Sequence, residues 1–323
     1  MLDMAKSFDE LKSTGDEQLE TLRWLMSAEE RKSTHGRIDA FVAKALRRSG
    51  KHQAVKRLEA CERGSYCGNI YCGGCRDRMA AKLLGRVRAH LVSQDMGEDA
   101  CRERLRWVTI LHSLEKAEIG AVRKATKRAR ADYTQLNRKF AGSWAQGAFE
   151  FELVDMEKVS SRVAKNAAGV RKKDTLQRLG GYEASLDSLD WSWRWVDEAG
   201  NERTDYVLVH THFLMDCGEE DWNAIDKNMR KRWYEDYQVR IDGLTDFNVR
   251  SLDESLWKMT SYCFKNRCSH HYEFGGYTFE DEDMDVNESM FSVNELNTIY
   301  GIYKEMAGGR NTGLLLGWGM KSG

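Results

Sequence analysis

The segment Arg203 to Met215, RTDYVLVHTHFLM, restricts the fold more than any other. It is long, rich in β-branched residues, and flanks two histidines with Val207, Leu208, Val209, Phe213 and Leu214. Such a run reads as a buried strand. Successive residues of a strand point to opposite faces, so His210 and His212 project together from one face. The flanking aliphatics would hold both imidazoles rigidly.

A buried strand needs partners, and the chain offers several. Arg106 to Leu111 (RWVTIL) and Gly147 to Val154 (GAFEFELV) read as strands, the second by alternation. Trp191 to Val196 (WSWRWV) alternates aromatic and polar residues, and DEAGNE after it reads as a hairpin turn. Helical patterns lie between and around these strands. Asp16 to Leu25 and Arg37 to Arg48 are helical, the latter with Ile38, Phe41, Val42 and Leu46 on one side. So are the stretch after Cys75, residues 118–140, 219–240 and 252–265, and a last helix that Ser292 and Glu295 open as a capping box. Residues 156–187 read as a polar, helical excursion, and the tail from Gly308 as loose. The fold class is therefore α+β, a central antiparallel sheet flanked by helices, preceded by a helical and cysteine-rich segment.

The eight cysteines bear on compartment and on metals. The N-terminus lacks the apolar core of a secretion signal, and no stretch approaches the roughly 18 apolar residues of a membrane span. A cytoplasmic protein is expected, with no membrane partner. There a disulfide framework is disfavoured. Cys61, Cys67, Cys72 and Cys75 follow a C-x5-C-x4-C-x2-C spacing among Gly64, Gly68, Gly73 and Gly74. Four soft ligands on tight turns suit a tetrahedral Zn²⁺, and four thiolates leave no open position, so this zinc would be structural.

Net charge is −1, yet the charges are segregated. Residues 121–139 carry seven Lys/Arg against one Asp, while 280–288 carry six Asp/Glu. A basic stripe on a near-neutral chain is compatible with a nucleic-acid face. Arg123, Lys124, Lys127, Arg128 and Arg130 are its candidates. The chain has no proline, which removes that residue as a boundary marker.

Two histidines make an incomplete metal site, so a carboxylate from a neighbouring strand is expected as third ligand. Glu150 and Glu152 alternate with Phe149 and Phe151; Glu152 is placed ahead of Glu150, with His112 as a further alternative. Tyr262 and Lys265 sit three apart on a helix and share a face. A phenol with a pKa of about 10 becomes a nucleophile only when a nearby cation favours its ionised form. His270 and His271, beside Cys268, read as surface or outer residues.

The order of these elements carries more than any one of them. The cysteine segment ending CGGCRDRMA, the strand RWVTIL, the glutamate strand GAFEFEL, VHTHFLM and the helix segment SYCFK resemble the rolling-circle replication initiators of small plasmids. These lie within the wider His-hydrophobic-His (HUH) endonuclease superfamily, and the resemblance spans roughly residues 61–265. A single tyrosine resembles the one-tyrosine type. Thr211 stands where the family has a hydrophobic residue. Lys258 stands where some members carry a carboxylate one turn before the tyrosine.

The resemblance implies Mg²⁺ or Mn²⁺ at His210 and His212, and attack by Tyr262 on one DNA strand. That attack would leave a 5′-phosphotyrosine and a free 3′-OH. Lys265 would steady the phosphate. Expected partners are single-stranded or cruciform origin DNA, a host helicase and a polymerase. The basic helices at 76–90 and 121–139 would hold the DNA backbone. The implied organisation is 1–60 helical, 61–105 zinc-binding with a basic helix, 106–275 the nicking and joining domain, and 276–323 an acidic and Gly-rich C-terminal segment. A transposase of the same chemistry, or a non-catalytic zinc-stabilised nucleic-acid-binding protein, would show many of the same features.

Overall fold

The computed structural model describes residues 40, 42–61, 67–157, 159, 175–180, 194–233, 237–244, 251–264, 291–308 and 312–319. In chain order the main elements are α1 (His52–Glu59), α2 (Gly73–Ser93), α3 (Glu98–Arg104), β1 (Leu105–Lys116), α4 (Ile119–Lys139) and β2 (Trp144–Asp155). Then come β3 (Trp195–Val196), β4 (Glu202–Arg203), β5 (Asp205–Asp216), α5 (Trp222–Arg232), β6 (Val239–Gly243), α6 (Leu252–Tyr262), α7 (Val293–Ala307) and β7 (Leu315–Trp318).

Five strands form one antiparallel sheet in the order β6-β1-β5-β2-β7. The expected α+β class with a central antiparallel sheet is what the chain adopts. β5 takes the centre because its twelve residues are all buried, and a strand buried on both faces needs neighbours on both edges. Even-numbered residues His210, His212 and Leu214 look one way, toward α2 and α6, with Trp107 and Ala148 beside them. Odd-numbered Val207, Val209 and Phe213 look the other way, into a core with Val122, Ala125 and Leu136 of α4 and with Ile299, Ile302 and Tyr303 of α7.

Several sequence expectations are corrected. The described part of the segment at 191–196 adds no strand to the central sheet. Its strand, β3, pairs only with β4, closing the expected DEAGNE hairpin with Gly200 at φ 81° and Asp197 accepting from the Ala199 and Asn201 amides. The run from Arg203 therefore divides at Thr204, and β5 begins at Asp205. Residues 219–240 are not one helix: α5 ends at Arg232, and β6 follows against Arg106–Ile110. The tail beyond Gly308 is not loose throughout, because β7 pairs with Ala145–Ala148 and buries Leu316 and Trp318. The capping box expected at Ser292 and Glu295 is present, and a second one at Ser251 and Glu254 starts α6. The described residues contain no helix long and apolar enough to cross a membrane.

Candidate metal centre and tyrosine

Register decides which side chains meet. On β2, Glu150 lies directly opposite His210, and on β1, Thr109 lies opposite His212. Pleating sends all four to the same face. His212 Nε2 is 3.1 Å and His210 Nε2 3.7 Å from Glu150 Oε2, and the two imidazole centroids are 4.9 Å apart. Glu150 and His210 are each 6% exposed and His212 3%. Despite its closeness to the carboxylate, His212 Nε2 forms no hydrogen bond. The three ligand atoms lie close enough together to share one ion.

The third group is thus Glu150, which corrects the choice of Glu152. Glu152 projects to the same side but stands opposite Leu208, a full strand repeat further from His212. His112 is excluded by facing: it bonds Thr211 and Tyr133 behind the sheet. Two imidazoles and one carboxylate form a set that could hold a divalent cation and leave coordination positions open. Thr109 was not anticipated. Its Oγ1 lies 2.9 Å from His212 Nδ1, the outer bond that fixes an imidazole with Nε2 turned to a metal.

Tyr262 closes α6 beside these residues. Its ring centroid is 4.8 Å from that of His212, the planes at 86°. Trp107 completes the corner, parallel to His212 at 5.8 Å and edge-on to Tyr262 at 6.0 Å. The helix is set down there by its capping box, by an Arg88–Asp253 ion pair to α2, and by the buried Cys263 thiol donating to the His212 carbonyl. Lys265 lies outside the described residues, as do Cys268, His270, His271 and the acidic segment 280–288.

The four cysteines come together as their spacing implies. Sγ distances are 3.4 Å for Cys61–Cys72, 3.5 Å for Cys67–Cys75 and 3.7 Å for Cys61–Cys75. Tetrahedral zinc with Zn–S near 2.3 Å needs sulfurs about 3.8 Å apart, so this set would take the ion with little movement. Gly68 makes the turn at φ 68°. Cys72 caps the N-terminus of α2, and hydrogen bonds from Cys67 and Cys72 push the Cys75 thiol down toward its thiolate. A third group, Asp155, Asp205 and Glu295, gathers three buried carboxylates at the far end of β2 and β5, with Arg203 paired to Asp205. The sequence reading missed it, because Glu295 reaches the strand pair only when α7 docks.

The basic stripe is placed differently from expectation. α4 packs on the odd-numbered face of β5, behind the sheet from His210 and His212. Arg123 pairs with Glu305, Arg128 with Glu115, and Lys124 and Lys127 are exposed. Arg130 is structural: it donates to the carbonyls of Gly313 and Leu315 and lies 4.8 Å over the Phe149 ring, pinning β7. Of the two basic helices, only α2 shares the face of the histidine site, and there Lys82 and Arg86 are exposed.

No family model, curated protein or solved structure matches the chain. The geometry of the site therefore carries the functional argument.

Proposed function

We propose that the chain is a metal-dependent DNA-nicking and -joining endonuclease of the HUH type, acting as a one-tyrosine replication initiator in the cytoplasm. The observation that supports this reading best is the placing of Tyr262 against His212, within a corner that also holds Glu150 and His210. Residues from three separate elements converge there, and together they match what phosphodiester cleavage by a phenol requires.

Glu150, His210 and His212 would hold Mg²⁺ or Mn²⁺, which supplies neutralisation of the charge that builds on a scissile phosphate. The Tyr262 oxygen attacks phosphorus; a tyrosyl O–P bond forms and the P–O3′ bond breaks. The phenol proton goes to solvent, and the departing 3′ oxygen takes up a proton to become a 3′-OH. The 5′-phosphotyrosine conserves the phosphodiester for rejoining. Lys82 and Arg86 are exposed on α2, the helix that packs on the site's side of the sheet, and are better placed than the residues of α4 to meet backbone phosphates. The Cys61, Cys67, Cys72 and Cys75 set would hold a structural Zn²⁺ at the start of that helix. Origin DNA, helicase and polymerase are the partners this reading implies.

The test is a denaturing gel of protein incubated with a randomised single-stranded oligonucleotide pool and Mn²⁺. Wild type should give a covalent protein–DNA band, and Tyr262→Phe and His212→Ala should each remove it. A band that persists in Tyr262→Phe rejects this nucleophile. Its absence from wild type rejects the catalytic reading.

A further inference from the structure

Thr211 stands between the two histidines and faces away from them. Its hydroxyl is fully buried and meets two groups from other elements: His112 Nε2 at 3.1 Å and the Tyr133 hydroxyl. Tyr133 also reaches His112 Nε2 at 3.1 Å, so the three polar atoms close a triangle. His112 comes from β1 at the register shift where Leu111 pairs with His210 and Ser113 with Val209. It is the extra residue of a β-bulge, and bulges beside functional sites re-aim side chains. Gln238 steadies this bulge by accepting from the Leu111 amide and donating to its carbonyl. Tyr133 comes from α4, and its ring is walled by Phe149, Phe213 and Trp233.

We propose that His112, Tyr133 and Thr211 form a positioning network for the divalent-cation site on the opposite face of the sheet. The network pins β5 at the one residue whose backbone joins His210 to His212. Pleat and twist at that residue set the angle between the two imidazoles, and the bonds to β1 and α4 hold it from behind. An aliphatic residue here would pack, and the backbone ladder to β1 would remain, but β5 would lose its side-chain hydrogen bonds to His112 and Tyr133. The inference rests on reading Glu150, His210 and His212 as a metal site.

Titration with Mn²⁺ followed by electron paramagnetic resonance tests it, with apo-protein thermal unfolding alongside. Wild type should bind one Mn²⁺ that His212→Ala loses; without such binding the metal reading itself fails. Given that binding, Thr211→Val should weaken it about tenfold, at the low end of what outer groups contribute to metal sites. Thr211→Ser should restore near wild-type affinity, and both variants should unfold in the apo form close to wild type. Tyr133→Phe keeps the ring and the His112–Thr211 bond, and should also bind more weakly. Equal affinity in wild type, Thr211→Val and Tyr133→Phe overturns the proposal. So does a serine variant as weak as the valine one.

Discussion

Thr109 shows how much one residue on a neighbouring strand contributes to the centre. Its bond to His212 Nδ1 holds the ring in plane and leaves Nε2 turned toward Glu150. Thr109→Val should therefore reduce Mn²⁺ affinity roughly tenfold with little change in fold, a difference that the same titration measures. His112 carries a separate prediction about pH. Burial, and after it the nearby His210, push its imidazole down from 6.5 to about 3. The unfolded chain binds that proton below about 6.5 while the folded chain does not. Stability is thus fully present above this pH and is lost as pH falls toward 3, by roughly tenfold in the unfolding constant per pH unit. Urea midpoints at pH 7 and pH 5 should differ less in His112→Gln than in wild type. The histidine pair was legible from alternation alone. The choice between Glu150 and Glu152 was not, since both share a face and only pairing with β5 separates them.

Gly147 governs how closely β2 and β5 approach beside the site. A Cβ there would meet the His212 carbonyl oxygen at 2.0 Å and Phe213 Cα at 2.5 Å. Both are backbone atoms and cannot swing aside. Gly147→Ala should cost about 1–3 kcal/mol or more by overpacking, read from denaturant unfolding, and should weaken Mn²⁺ binding because it displaces His212. The helices at 73–93 and 119–139 were legible from composition and period, as was the capping box that opens the last one. The short strands β6 and β7 were not. Each is five residues or fewer, too short for a periodic signal, and each forms on an edge already laid down by β1 or β2. Arg130 misled for a related reason: a basic stripe reads as a solvated face until a carbonyl from a distant segment arrives to meet it.

At the scale of the molecule, the cysteine cluster is built into the core behind the sheet. Tyr71, fully buried between the cysteines in sequence, packs on Tyr300 and Tyr303 of α7, and the Tyr303 hydroxyl accepts from the Phe151 amide, next to Glu150. A zinc held by these cysteines would brace α7 as well as the cysteines, so its removal should loosen both. A strong chelator, or Cys75→Ser, should release one zinc per chain and lower the melting temperature. At free zinc a thousandfold above its dissociation constant the loss would be about 4 kcal/mol. An unchanged melting curve with zinc stripped out would remove the structural role assigned to these thiols.

What the sequence determined by itself is what neighbouring residues decide among themselves. That includes a buried strand presenting His210 and His212 together, a cysteine spacing that fits a tetrahedral ion, the long helices, the capping box of the last helix, and the α+β class. The tertiary structure alone decided that Glu150 completes the histidine pair and that Thr109 and Trp107 back it. It also decided that Tyr262 lies against His212, and that α4 lies behind the sheet while α2 shares the face of the site. These depend on strand register and on the side from which each helix docks. Both are set by packing between residues tens to hundreds of positions apart, and no local period along the chain encodes them.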